Sequence, residues 1–169
     1  ALGDCVTRSR CEDLVAAFGE SAVPRIEAVF DDADEEGRFS LTRTLRKIGD
    51  PRAIPLLMEV ADGRDNFKVR IEAIKALGEL GASEAAPILL AGMRDSDPSV
   101  RKFSAHYLAA VHPEATSEVL AGLVTCMEAA EEDANFELVS TCHKSLVRIY
   151  GEDMGRRASD WRRVVSRRD

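Results

Sequence analysis

Aromatic residues are scarce in this sequence, at 5% of the chain, and long apolar runs do not occur. No apolar segment approaches the roughly 18 residues that a membrane-spanning helix needs, so no membrane insertion is expected. Apolar residues still make up 45% and charged residues 31%, which is typical of a folded chain rather than a disordered one. Ala, Leu, Glu and Arg dominate, and they favour helices because they lose little rotamer freedom there.

Cysteine and histidine are also sparse, with four and three copies. No CxxC pair and no HExxH motif occurs, so a zinc site is not expected. Four cysteines are too few for a disulfide scaffold. The residues concerned are Cys5, Cys11, Cys126, Cys142, His106, His112 and His143. No catalytic residue, metal or cofactor is therefore predicted.

Basic residues are outnumbered by acidic ones, 23 to 30, and the formal net charge is -7. An acidic surface repels phosphate, so binding to nucleic acid is not expected. The C-terminal segment departs from this pattern, because it carries a basic group formed by Arg156, Arg157, Arg162 and Arg163. We expect this group either to dock onto an acidic turn of the chain, such as residues 128–133, or to bind an acidic partner.

Internal repeats carry most of the structural information. Three residues recur at intervals of 31 and 32, namely Pro24, Pro55 and Pro87. Each begins a short apolar stretch, as expected for proline in the first turn of a helix. Proline has no backbone N–H group, and the N–H groups of the first turn have no partner within the helix in any case. A second stretch with apolar residues at helical spacing follows, for example Val69, Ala73 and Leu77.

A helix pair repeated every 31 to 38 residues cannot bury its own apolar faces, so stacked neighbours must supply the core. The sequence therefore predicts an all-α fold, an α-solenoid of about four helix pairs forming one domain over residues 1–169. The predicted repeats are residues 19–49, 50–81, 82–112 and 113–150. An unpaired second helix at 4–18 precedes them, and a capping segment at 151–169 lays Trp161 over the last repeat.

The second helices and the turns before them have a recognisable pattern. The strings GDPRAIPLLMEV, VRIEAIKALGELG and DPSVRKFSAHYLAAV resemble the short bacterial HEAT-like repeats of the phycobilisome-lyase type, over about residues 19–150. The resemblance implies a right-handed superhelix whose second helices line the concave face. Because the first predicted helix is a second helix without its first helix, we expect the chain to be the C-terminal piece of a longer solenoid.

HEAT-like repeats also occur in enzymes. Deoxyhypusine hydroxylases resemble this repeat but carry a His-Glu pair that holds iron. The matching positions here read Ile71-Glu72 and Lys102-Phe103, so an iron site is not expected. Bilin lyases share the repeat type most closely, and a lyase-like accessory subunit is the enzymatic alternative.

Several polar residues at repeat positions have a structural interpretation. Cys11 and Cys142 fall at the core position that Ala73 holds, so the cysteines are interpreted as inert thiols. Arg70 and Arg101 hold one repeat position, where we expect them to tie their helices to carboxylates of the turns.

A set of basic residues suggests where a partner binds. Aligning the second helices places four residues at one repeat position: Arg43, Lys75, His106 and Lys144. Neighbouring positions add Lys47, Lys68, Lys102 and Arg148. We call these eight residues the basic ridge. It would suit an acidic protein segment, which long-range attraction would steer to it. The alternative is a solvated face whose charges pair locally, as Glu72 and Lys75 could.

The sequence thus predicts a non-catalytic scaffold or regulatory module that binds a protein partner on the second-helix face. A structural spacer is a further alternative. We expect a monomer and a cytoplasmic location.

Overall fold

The computed structural model describes residues 5–63, 65–112 and 114–166, with the backbone alone for residues 5–9. These residues form helices and turns, and no strand occurs among them. The α-helices are α1 (Cys5–Ala16), α2 (Val23–Phe30), α3 (Glu35–Ile48), α4 (Ile54–Asp62), α5 (Phe67–Leu80), α6 (Ala86–Gly92), α7 (Pro98–Val111), α8 (Ser117–Glu132), α9 (Phe136–Tyr150) and α10 (Ala158–Val165). The predicted all-α class is confirmed. None of these helices combines the length and apolar character needed to cross a membrane.

The predicted helix starts and stops are set by local sequence. Pro24, Pro55 and Pro87 each occupy the second residue of a first helix, in α2, α4 and α6. Second helices instead begin after a capping side chain, and Asp34, for example, accepts a hydrogen bond from the Gly37 N–H at 2.8 Å.

The ends of α3 and α5 are fixed by glycine. Gly49 and Gly81 adopt left-handed backbone angles, with φ of 68° and 65°, which residues with a Cβ rarely adopt. The spacing of prolines and glycines therefore defines one helix pair after another.

The chain divides into two compact units, with the boundary between Ala82 and Ser83. We call them unit 1 and unit 2. The boundary lies one residue after that predicted between the second and third repeats. Whether the units form one domain stays a prediction.

In unit 1 the second helices pack side by side. Helix α3 contacts both α1 and α5, while the first helices α2 and α4 pack on α3 and α5. Phe30, Leu45, Leu57 and Leu77 are almost completely buried between them. Burial of this apolar surface is the main contribution to the stability of the unit.

Unit 2 repeats this arrangement and adds the cap. Helix α7 contacts α6 and α9, and α8 packs against α9 on one side and α10 on the other. Trp161 of α10 is fully buried, as predicted, and its indole N–H donates to the Gly155 carbonyl at 2.8 Å.

The core predictions hold except at the first helix. Cys142 is completely buried, as expected, but Cys11 is exposed, so the prediction of a core position for Cys11 is wrong. The neighbouring Glu12 takes the buried position against α3 instead. No first helix covers the other side of α1 among the described residues, and Phe18 near its end is 73% exposed. The expectations about Cys5 fall on a side chain outside the described residues.

Candidate functional site

The basic ridge in unit 1 is neutralised by carboxylates on neighbouring helices. Arg43 and Lys47 of α3 both contact the Glu12 carboxylate of α1, at 2.9 and 3.0 Å. Lys47 also contacts Asp13 at 2.6 Å. The Asp13 hydrogen bond raises the pKa of Lys47, with Glu12 contributing. Glu12 is only 4% exposed, and these two cations compensate for the burial of its carboxylate.

The same pattern joins α3 to α5. Arg46 contacts Glu72 at 3.0 Å and Glu79 at 3.1 Å, and Lys75 contacts Glu72 at 2.8 Å. Burial lowers the pKa of Arg46, but the two carboxylates outweigh it and hold the pKa above its usual value. Sequence reasoning missed Arg46, although it lies three residues after Arg43 on the same helix face.

Lys68 is the remaining ridge residue of unit 1. Its side chain is exposed at the start of α5, with its ammonium 6.0 Å from the centre of the Phe67 ring. The other three ridge residues of unit 1, Arg43, Lys47 and Lys75, all form ion pairs within the chain. The local pair predicted between Glu72 and Lys75 is present, whereas Arg43 and Lys47 pair with a neighbouring helix, and partner binding at these residues stays a prediction.

Unit 2 presents a different arrangement. Lys102 of α7 contacts Glu137 of α9 at 2.9 Å. His106, Lys144 and Arg148 are exposed, and none has an ion-pair partner among the described residues. We call these three residues the open basic patch.

The open basic patch is assembled by the packing of α7 on α9. The Ser145 hydroxyl of α9 donates a hydrogen bond to the Ala105 carbonyl of α7 at 2.8 Å. His106 follows Ala105 in the chain and Lys144 precedes Ser145, so this contact brings the helical turns that carry His106 and Lys144 together. Arg148 follows Lys144 by four residues and lies on the same side of α9. The His106 ring packs edge-on against Tyr107, with centroids 4.8 Å apart. Three basic side chains thus face solvent with no ion-pair partner within the described ranges.

An aromatic side chain lies at the start of the same helix. Phe136, the first residue of α9, is 81% exposed, which is the greatest exposure among the large apolar residues that the structure describes. An exposed aromatic ring is a common element of protein-binding surfaces, although Phe136 lies about two turns of α9 before Lys144.

The C-terminal arginines divide into two groups. Arg162 forms a bidentate ion pair with Glu128 of α8, which raises the pKa of Arg162. Glu131 of the same acidic turn accepts a hydrogen bond from the Ala158 N–H at 3.0 Å. This geometry matches the expectation that the segment docks on residues 128–133.

The remaining C-terminal arginines are solvent-facing. Arg156, Arg157 and Arg163 are exposed, and Arg157 lies at the residue before α10, where its N–H contacts the Asp160 carboxylate at 3.3 Å. A partner-binding role for them stays a prediction.

The loop before the cap is held by a histidine to which the sequence assigned no role. His143 Nε2 lies 2.9 Å from Asp153 Oδ1, and the Gly155 N–H donates to the same oxygen at 2.9 Å. The His143 contact lowers the pKa of Asp153, and the Gly155 N–H adds to this effect. His143 and Tyr150 both pack edge-on against Trp161.

The two repeat arginines bind turns, as expected, through backbone oxygens and, for Arg101, also through the Asp133 carboxylate at 3.8 Å. Arg70 donates to the Asp65 carbonyl at 2.5 Å, and Arg101 donates to the carbonyls of Asp95 and Ser96 at 2.9 and 3.1 Å. These arginines therefore fix the turn before each second helix, and Arg101 also lines the cavity between α6 and α8.

No cluster of three or more His, Cys, Asp or Glu residues suited to a metal occurs in the described part of the chain. The helix pairs, with their buried apolar faces and paired second helices, define a helical-repeat protein. Comparison with protein families gives two matches: HEAT repeats over residues 59–135, and the PBS lyase HEAT-like repeat over residues 38–63. The chain belongs to the HEAT-like repeat family. A search of curated proteins gives no match.

Proposed function

We propose that this chain is a non-catalytic protein-binding module, and that it binds an acidic segment of its partner along α7 and α9. The observation that carries the proposal is the contrast between the two units. Arg43, Arg46, Lys47 and Lys75 have carboxylate partners within unit 1, whereas the open basic patch of unit 2 has none among the described residues.

The contrast matters because a new acidic partner would have to compete with existing ion pairs. At Arg43 it would displace Glu12, whose buried carboxylate would then lose a partner at considerable cost. At Lys144 and Arg148 nothing has to be displaced. Apart from the single exposed Lys68, the ridge residues that can attract a partner without losing an ion pair therefore lie on unit 2.

The family supports the general class of function. Repeats of this architecture are used as protein-interaction scaffolds, since stacked helices present extended binding surfaces. Phe136 supplies an exposed apolar side chain about two turns before Lys144 on α9, so the expected partner segment combines Asp or Glu residues with an apolar side chain some distance from them.

Fluorescence anisotropy with a labelled glutamate-rich peptide tests the proposal. The test variant is Lys144→Glu/Arg148→Glu, and the control variant is Arg25→Glu/Arg94→Glu, which reverses two exposed charges outside the basic ridge. We expect the test variant to weaken binding about tenfold or more, because each ionic contact contributes up to about 1 kcal/mol. Binding by the parent chain should also weaken as salt rises, since exposed charges are screened.

Two results would contradict the proposal. One is equal weakening by the control variant, which would show a response to net charge alone. The other is binding that does not change with salt, which would exclude an ionic contact. If the parent chain does not bind the peptide at all, the structural-spacer alternative is favoured.

The lyase alternative rests on the match to the PBS lyase HEAT-like repeat over residues 38–63. An absorbance titration with a linear tetrapyrrole tests it directly. A saturable shift of the absorption band would favour this alternative over the binding module, and a flat titration would remove it.

A further inference from the structure

Two buried cysteines face each other in the last helix pair. Cys126 of α8 is 5% exposed and Cys142 of α9 is completely buried. The two helices are packed against each other and joined by a turn around Ala134, which adopts a left-handed φ of 52°. Each cysteine lies eight residues from Ala134 along the chain, and residues equidistant from the turn of a helical hairpin lie level with each other.

The two thiols influence each other. The neighbouring Cys142 thiol lowers the pKa of Cys126, and the positive charge of Arg101 adds to this effect, while burial opposes it. The Cys126 thiol and burial both raise the pKa of Cys142. Cys126 is therefore the more acidic thiol of the pair, and thiolate character favours reaction with an oxidant.

Cys126 is also reachable from outside. It lies in the wall of a cavity of about 640 Å³ between α6 and α8, together with Met93, Arg101, Thr125 and Ala129. Cys142 is not part of this wall. A small molecule that enters the cavity therefore approaches Cys126 rather than Cys142.

We infer that Cys126 and Cys142 form an oxidisable dithiol site, at which a peroxide oxidises Cys126 and Cys142 then closes a disulfide between α8 and α9. This inference does not depend on the proposed protein-binding function. It replaces the inert interpretation of these two cysteines that the sequence suggested.

The reaction balances in two steps. The Cys126 thiolate attacks one oxygen of hydrogen peroxide, so that an S–O bond forms, the O–O bond breaks and hydroxide leaves to become water with a proton from solvent. Cys126 is oxidised to a sulfenic acid, and the peroxide is reduced. The Cys142 sulfur then attacks Cys126, so that the S–S bond forms, the S–O bond breaks and the leaving hydroxide takes the Cys142 proton as water.

The first experiment uses the unaltered full chain. It is treated with one equivalent of hydrogen peroxide, and the intact mass is followed by a non-reducing peptide map. We expect the mass to fall by two hydrogens and the map to show a peptide pair joined through Cys126 and Cys142. A persistent gain of oxygen without this link would overturn the inference, and so would a link between other cysteines.

The second experiment assigns the roles of the two sulfurs. A Cys5→Ser/Cys11→Ser variant removes the other cysteines and should still form the link, which makes it the matched control. Adding Cys142→Ser should leave a sulfenic acid on Cys126 that dimedone traps, because no second thiol can resolve it. Adding Cys126→Ser should reduce dimedone labelling about tenfold or more, because a buried thiol without thiolate character reacts slowly.

The inference would be wrong if the variant with Cys126→Ser were labelled as strongly as the variant with Cys142→Ser. Circular dichroism of each variant establishes that the helices are intact. If a variant does not fold, the inference is tested by the first experiment alone, in which the unaltered chain either forms the Cys126–Cys142 disulfide or does not.

Discussion

Gly92 of α6 and Ser104 of α7 lie so close together that a Cβ atom on Gly92 would fall 2.4 Å from Ser104 Oγ. Ser104 is completely buried, and its hydroxyl has no hydrogen-bond partner within the described ranges. The absence of a side chain at Gly92 is thus what allows α6 to approach α7 at this point.

Substitution Gly92→Ala should therefore destabilise the protein. We expect a loss of about 1–3 kcal/mol in the free energy of unfolding, measured in urea, because the new methyl group overpacks the contact with Ser104. Gly122→Ala is the matched control, since its Cβ would meet only the flexible ends of Leu90 and Met93. Similar losses in both variants would show that the Gly92–Ser104 contact is not the cause.

A second prediction concerns the ion pairs of unit 1. Arg43→Glu places a second carboxylate beside the buried Glu12, so we expect it to cost roughly 2–4 kcal/mol of stability. Lys144→Glu makes the same charge change at an exposed residue with no ion-pair partner among the described residues. It should change the free energy of unfolding by less than about 0.5 kcal/mol. A loss for Lys144→Glu as large as that for Arg43→Glu would contradict this assignment.

The loop before the cap should respond to acid. The pKa of Asp153 is lowered in the folded protein, mainly by His143, so its carboxylate stabilises the fold above the ordinary pKa of Asp, about 3.9. That contribution is lost as the pH falls through the lower, folded-state pKa. We expect the urea midpoint of the parent chain to exceed that of Asp153→Asn near neutral pH, and the difference to disappear in strong acid. A difference that does not change with pH would exclude the Asp153–His143 contact as its source.

The cap offers a fourth prediction. Trp161→Ala removes a fully buried indole between α10 and the last helix pair and should cost about 3–5 kcal/mol. Val164→Ala on the same helix removes a half-buried side chain and should cost less than about 1.5 kcal/mol. Urea unfolding followed by circular dichroism distinguishes the two. Equal, small losses would mean that α10 contributes little to the stability of unit 2.

The helices were predictable because their signals are local. Prolines at the first turns and glycines after the second helices specify where each helix begins and ends, whatever surrounds it. The core positions of α7 and α9 follow from apolar spacing for the same reason.

The charged surface was predicted less well because its pairing depends on tertiary packing. Arg43 and Glu12 are far apart in the sequence, and only the packing of α1 on α3 brings them together. The exposure of Cys11 also depends on which face of α1 meets α3. One feature of the sequence could have predicted that Cys126 and Cys142 lie close together, namely their equal separation from the turn at Ala134.

The ion pairs between adjacent second helices have a consequence for how such repeats can be rearranged. Glu12 with Arg43, Arg46 with Glu72 and Lys102 with Glu137 each join one repeat to the next. A repeat that is duplicated, deleted or exchanged by itself would meet a neighbour with the wrong charges. An exchange of repeats preserves these ion pairs only when both halves of an interface move together.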